Sequence, residues 1–296
     1  MSRIVMAALM MLAMLSSARA DDSGIIFQEK SLYRNIYVYE ENGLRCIRFL
    51  LNKSTGRQSC VTLADPRILA LNYTKMMMGA LFLNPAPKTI LVIGLGGGTL
   101  PTTLHRILPD ATITSVEIDS AILHVAERFF AYREDDKMTS AIEDGRVFVR
   151  RMQRQHRHYD LIMLDAYNQE YIPEHMLTRE FLEEVDAILA DGGVLAANTF
   201  SFNRLYDHES VTYATVFGGF YNLKLNNRVI LLRKGGLPAM AEIRDNAARV
   251  NDALLSMGLT QDWLLTLFKT EPDWDPKARI LTDEYSPSNL LNGTTR

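Results

Sequence analysis

A doubly wound α/β sheet preceded by a small antiparallel β domain is the fold the sequence predicts, on three observations. Strand and helix patterns alternate from residue 89 onward, the arrangement that builds a parallel sheet with helices on both faces. A glycine-rich turn, Gly94-Leu95-Gly96-Gly97-Gly98-Thr99, separates the first of these strands from the first helix. Ahead of them, short alternating runs divided by Asn42-Gly43 and by Ser54-Thr55-Gly56 read as hairpins.

In chain order, residues 1–20 begin with one basic residue, continue as a long apolar stretch and end in Ala18-Arg19-Ala20 before Asp21-Asp22. That is the outline of a signal peptide. The apolar core, residues 4–15, is shorter than the roughly 20 residues a spanning helix needs. The expectation is an exported chain, periplasmic or secreted, or one anchored to a membrane through its N-terminus. A buried core helix is the alternative, and no amphipathic period supports it.

Residues 21–84 form the predicted N-terminal β domain with its linking helix. Residues 35–40 and 45–51 are its strands, and residues 66–83, rich in Leu and Met, read as the helix. Cys46 and Cys60 are the only cysteines and fall in this hairpin region. Export permits a disulfide between them, worth about 3 kcal/mol if closed; two small buried hydrophobes are the other reading. Asn84-Pro85-Ala86-Pro87 marks the boundary with the second domain, residues 85–296.

In that domain, residues 89–93 are a fully apolar strand, 101–108 a helix, 111–117 a strand and 121–130 a helix. A further helix covers 147–154, a buried strand 159–164, a helix 178–189 and a strand 194–199. Asn226-Asn227-Arg228 divides two short strands, 221–225 and 229–232, into a hairpin that adds an antiparallel edge. Residues 240–257 and 262–269 are helical.

Composition excludes some classes. With 47% hydrophobic and 23% charged residues the chain is globular, and a net charge of −3 without a Lys/Arg cluster disfavours nucleic acid. The six histidines share no ligand spacing, so no metal is expected.

The chemistry starts at the glycine turn. Gly94, Gly96, Gly97 and Gly98 let the backbone turn and approach a ligand, and the following helix offers free N–H groups. Glu117 closes the next strand, where a carboxylate can accept from both ribose hydroxyls. Thr99 replaces the third glycine of a dinucleotide fingerprint, and no Gly-Lys-Ser/Thr ending marks a phosphate loop. These features fit a methionine-derived nucleoside better than NAD. Asp144-Gly145 either holds adenine through the exocyclic amine or serves as a turn and helix cap. Asp165 ends a buried strand, where open α/β sheets place their ligands, and can accept a proton from an attacking amine.

Residues 58–198 resemble the spermidine synthase-like branch of the S-adenosylmethionine-dependent transferases. The markers are Gln58-Ser59, Asp65-Pro66, Tyr73, the glycine loop, Glu117-Ile118-Asp119, Asp144-Gly145-Arg146, Asp165-Ala166-Tyr167-Asn168 and residues 172–178, with an echo at residues 281–287. The resemblance implies a Rossmann-like domain of the class I methyltransferase type behind a small β domain. It implies that the glycines line the nucleoside, Glu117 holds the ribose, Asp144 the adenine, and Asp165 acts as the reactive carboxylate. Gln58, Tyr73, Tyr167 and Asn168 are the candidate substrate-binding residues. The donor would be S-adenosylmethionine or its decarboxylated form, with a small amine or other acceptor as partner; self-association as a homodimer is left open.

Two carboxylates usual in aminopropyltransferases are missing: Asn168 stands for the second acid after Asp165, and Thr74-Lys75 for a His-Glu pair. Their loss removes charge that would bind a dicationic polyamine. Aminopropyl transfer leads, methyl transfer is the alternative, and a binding protein without turnover is the third reading.

Overall fold

The computed structural model describes residues 24–51, 56–166, 173–201 and 204–287. The N-terminal segment read as a signal or anchor, and the candidates Tyr167 and Asn168, lie outside the described residues.

Four strands, β1 (Ile25–Lys30), β2 (Asn35–Glu41), β3 (Leu44–Arg48) and β4 (Ser59–Thr62), form an antiparallel sheet in sequential order. Both faces of its centre are covered. Ile36, Val38, Ile47 and Val61 join the main core, while Tyr39, Cys46 and Cys60 pack on the other side. Cys46 and Cys60 face each other across β3 and β4 and form a disulfide. Strand β1 lies outside the hairpin region predicted from the sequence. As an edge strand it has no fully buried residue, so its hydrophobic signal is weak.

A seven-stranded sheet follows. Its strands are β5 (Thr89–Ile93), β6 (Thr112–Glu117), β7 (Met138–Ile142), β8 (Tyr159–Leu164), β9 (Leu189–Phe200), β10 (Tyr221–Lys224) and β11 (Asn227–Arg233). They run in the order β10-β11-β9-β8-β5-β6-β7. Strands β5 to β9 pair parallel, and β11 pairs antiparallel with β9, so the predicted hairpin forms the edge. Side chains alternate between two cores: Ile90 and Val92 face one, Leu91 and Ile93 the other. Burial on both sides is why β5 and β8 read as nearly continuous apolar runs.

On the first face lie α1 (Asn72–Met77), α2 (Ala80–Leu83), α3 (Thr99–Ile107) and α4 (Ser120–Phe129). The second carries α5 (Gly145–Arg154), α6 (Arg179–Ile188) and α7 (Tyr206–Phe217); α8 (Met240–Leu255) and α9 (Gln261–Leu265) return to the first. Three expectations are corrected. The single helix over 66–83 is a turn followed by two short helices that meet at Met78-Gly79, where Gly79 packs on Leu231 so closely that a Cβ would sit 2.9 Å from its Cδ1. Helix α7 was not anticipated: its buried residues include Glu209, Ser210 and Thr212, so it lacks a clean apolar stripe. The last helix stops at Leu265 instead of 269.

Replacing both cysteines by serine should lower the unfolding free energy by about 3 kcal/mol. Urea titration checks this, and wild type under reducing conditions should coincide with the variant.

Candidate active site

The strand order β8-β5-β6 puts three carboxyl ends side by side, and each carries a predicted residue: Asp165 after β8, Gly94 after β5 and Glu117 closing β6. Backbone bonds fix their spacing. The Gly94 amide donates to the Val116 carbonyl at 2.8 Å, and the Asp165 amide to the Ile93 carbonyl at 2.8 Å. Gly94 has φ +98°, and a Cβ there would lie 2.4 Å from the Asp165 carbonyl oxygen. Gly98 caps α3 in the left-handed region, with its missing Cβ 2.6 Å from the Tyr132 ring.

A cavity of about 670 Å³ opens over these ends and extends to the small sheet. That size suits a nucleoside-bearing ligand. Gly94, Gly96, Glu117, Asp144, Gly145, Asp165, Gln58 and Tyr73 all line it. Gly97 and Gly98 lie off its wall; they let the loop pack on Ser59, Phe130 and Tyr132.

Glu117 shapes the loop. Its Oε2 accepts from the Leu95 amide and its Oε1 from the Asp119 amide, both at 3.1 Å. Burial pushes its carboxyl above the usual range, opposed by those amides and by the Arg34 guanidinium. Asp144 is the helix cap of the two sequence readings: Oδ1 accepts from the Val147 amide at 3.0 Å, while Oδ2 accepts from the His175 Nε2–H at 3.0 Å at the cavity wall.

Asp165 has the chemically telling environment. Burial raises its carboxyl to about 7; hydrogen bonds from Asn198 and Tyr73 work against that rise, and the nearby Glu117 charge adds to it. Asn198 Nδ2 donates to Oδ1 at 2.8 Å. The Tyr73 hydroxyl lies between this carboxylate and the Gln58 carbonyl, 3.2 Å away. A carboxylate poised near neutrality, open to a cavity and held from both sides, is equipped to take a proton.

The sequence reading did not single out Arg34, Glu143, His175 or Asn198 as site residues, yet all four line the cavity. Asn198 was findable in principle: Leu164 pairs with Ala197, so the next residue of each strand stands at the same sheet end. Arg34 arrives from the β1–β2 turn, stacked over Phe49 with 4.4 Å from its guanidinium carbon to the ring centroid. Ser31 of the same turn donates to Asp119 at 2.5 Å, which ties the small sheet to the loop after β6. Pairing between distant elements left no local signal for either.

A family model described as the spermine/spermidine synthase domain matches residues 70–233. The chain belongs to the spermine/spermidine synthase family, and with it to the transferases. The polyamine aminopropyltransferase of Vibrio vulnificus (strain CMCP6) is 40% identical over 294 residues, covering 97% of this chain and 98% of that relative. Among solved structures, a probable spermidine synthase from Corynebacterium glutamicum ATCC 13032 superposes with a TM-score of 0.64 at 16% identity. It spans 87% of this chain and 100% of that one, and shows the shared fold. Human methyltransferase-like protein 13 in complex with SAH gives a TM-score of 0.57 at 26% identity, covering 75% of this chain and 100% of that one. The fold is thus the Rossmann-like, class I methyltransferase type expected from the sequence.

The elevated Asp165 carboxyl has a sign that can be checked. Between its ordinary value of 3.8 and about 7 the folded protein holds a proton that the unfolded chain has released, so stability falls as pH rises through that window. Asp165→Asn removes the cost of burying that charge. Its melting temperature relative to wild type should therefore be higher at pH 8 than at pH 4, by differential scanning fluorimetry.

Proposed function

We propose that the chain transfers an aminopropyl group from decarboxylated S-adenosylmethionine to a small amine, with Asp165 as the proton acceptor. The Asp165 environment carries this reading. An amine is protonated at neutral pH and must lose that proton before its nitrogen attacks the carbon beside the sulfonium. A carboxylate with its pKa near 7 orients the ammonium, accepts the proton and releases it again. The new C–N bond forms as the C–S bond breaks, and methylthioadenosine leaves with the sulfur electron pair.

The residues lining the cavity suit such a donor: Gly94 and Gly96 would allow close approach of a nucleoside, Glu117 would accept from ribose hydroxyls, and Asp144 would accept from the adenine amine. Gln58 and Tyr73 face the region between Asp165 and the small sheet, where an acceptor enters. The match to a polyamine aminopropyltransferase over nearly the whole chain supports the same transfer. Export or anchoring through residues 1–20 is part of the proposal, on the strength of their composition.

One observation favours methyl transfer as a second reading. Arg34 lines the cavity, stacked over Phe49 and with its charge acting on the Glu117 carboxyl, and a cation there would favour a donor that retains its carboxylate.

Asp165→Asn should lower kcat by about 10² to 10⁴ while calorimetric affinity for the donor stays within about twofold of wild type. Glu117→Ala should abolish nucleoside binding. Titrating wild type with the carboxylated and decarboxylated donors separates the two readings, since aminopropyl transfer requires the decarboxylated form to bind tighter. The wild-type kcat/KM should fall about tenfold per pH unit below pH 7 as Asp165 protonates.

A further inference from the structure

Two motifs have no task in the transfer as described: Arg146, following Asp144-Gly145, and the C-terminal run around Asp283. They are 137 residues apart in sequence and meet in space. Arg146 is only 6% exposed, and its guanidinium is fully engaged. Nε and Nη2 donate to the two oxygens of Glu184 at 2.8 and 2.9 Å, and Nη1 and Nη2 to the two oxygens of Asp283 at 2.6 and 2.8 Å. Nη1 also donates to the His175 backbone carbonyl at 3.0 Å. Two bidentate pairs and a carbonyl fix the plane of the guanidinium, which a lysine could not reproduce.

Asp283 brings the C-terminal segment with it. Its carboxylate also accepts from the Thr178 hydroxyl at 2.7 Å, and its amide donates to Glu180 at 2.9 Å. The Arg179 amide donates to the Leu281 carbonyl at 2.8 Å, and the Ser286 hydroxyl to the Glu174 carbonyl at 3.1 Å. Residues 281–286 therefore lie as a strap across the start of α6 and the one-turn helix Glu174–Met176. That turn supplies Pro173, His175 and Met176 to the cavity wall, and His175 holds the Asp144 Oδ2.

We propose that Arg146 and Asp283 are positioning residues for the donor: their pairing clamps the C-terminal strap onto the His175 turn and thereby aims the Asp144 carboxylate at the nucleoside. This rests on the reading that the cavity binds an adenine-bearing donor. Neither residue touches the donor or the reacting carbon, and the clamp acts through the His175 carbonyl and imidazole. Its predicted signature is a loss confined to the adenine end of the site.

The test is Asp283→Asn, whose side chain is partly exposed, assayed by calorimetry with methylthioadenosine and by steady-state kinetics. The methylthioadenosine Kd and the donor KM should rise together by about tenfold, because a remote misplacement of a binding group weakens binding out of proportion to its size. The kcat at saturating donor and the acceptor KM should stay within about twofold. Asp283→Glu should recover part of the loss. Ser286→Ala loosens the same strap without touching the buried arginine, and should shift both donor constants in the same direction by about two- to threefold. Wild-type binding of methylthioadenosine with unchanged affinity in Asp283→Asn would overturn the clamp alone, as would a fall in kcat at constant donor KM. Failure of wild type to bind any of these nucleosides would instead overturn the donor reading itself, and the clamp with it.

Discussion

Everything in the site depends on how closely the backbone after β5 lies against the backbone after β8. The Asp165 carbonyl occupies the space where any side chain at residue 94 would begin. The bonds from Gly94 to Val116 and from Asp165 to Ile93 hold that contact from both sides. Three strand ends are locked into one platform, so the glycine turn, Glu117 and Asp165 share a single cavity. The same contact sets the electrostatics. Glu117 and Asp165 are close enough to repel, and both are withdrawn from water, so each resists ionisation.

The opposing forces on Asp165 come from separate parts of the chain. Asn198, at the end of β9, and Tyr73, on α1, each bond its carboxylate and favour the charged form, while the surrounding protein mass disfavours it. Burial wins, but only by enough to bring the group near neutrality. A fully satisfied carboxylate would be too weak a base, and an unsupported one would stay protonated at physiological pH. The small sheet participates in this balance, because the Tyr73 hydroxyl also lies against the Gln58 carbonyl beside β4, and the Ser31 hydroxyl ties the β1–β2 turn to Asp119. Its role is thus to close and tune the cavity as well as to precede it.

Buried charge is used differently on the Asp144 side of the cavity. Arg146 sits between two carboxylates and a carbonyl, with every donor satisfied, which is the condition under which a buried cation is tolerable. The pairing lowers the Asp283 carboxyl below its ordinary value. Through this guanidinium the last described residues are joined to the His175 carbonyl, and so to the turn that lines the cavity.

Local signals in the sequence determined β5, β6, β8 and β9, the glycine turn and the carboxylates at the strand ends, while β7, with a single buried residue, was not read. The others were legible because apolar runs, glycine spacing and strand termini are properties of a few consecutive residues. Family resemblance supplied the nucleoside-binding fold. The edge strand β1 and helix α7 escaped notice because partial burial and buried polar groups erase the periodicity that marks an element. Tertiary structure alone decided that Cys46 and Cys60 are bonded, that Gly97 and Gly98 serve packing, and that Asn198, Arg34 and His175 border the cavity. It also decided that Arg146 reaches Asp283. These outcomes rest on contacts between segments far apart in sequence, whose partners are chosen by the packing of whole elements and not by any neighbouring residue.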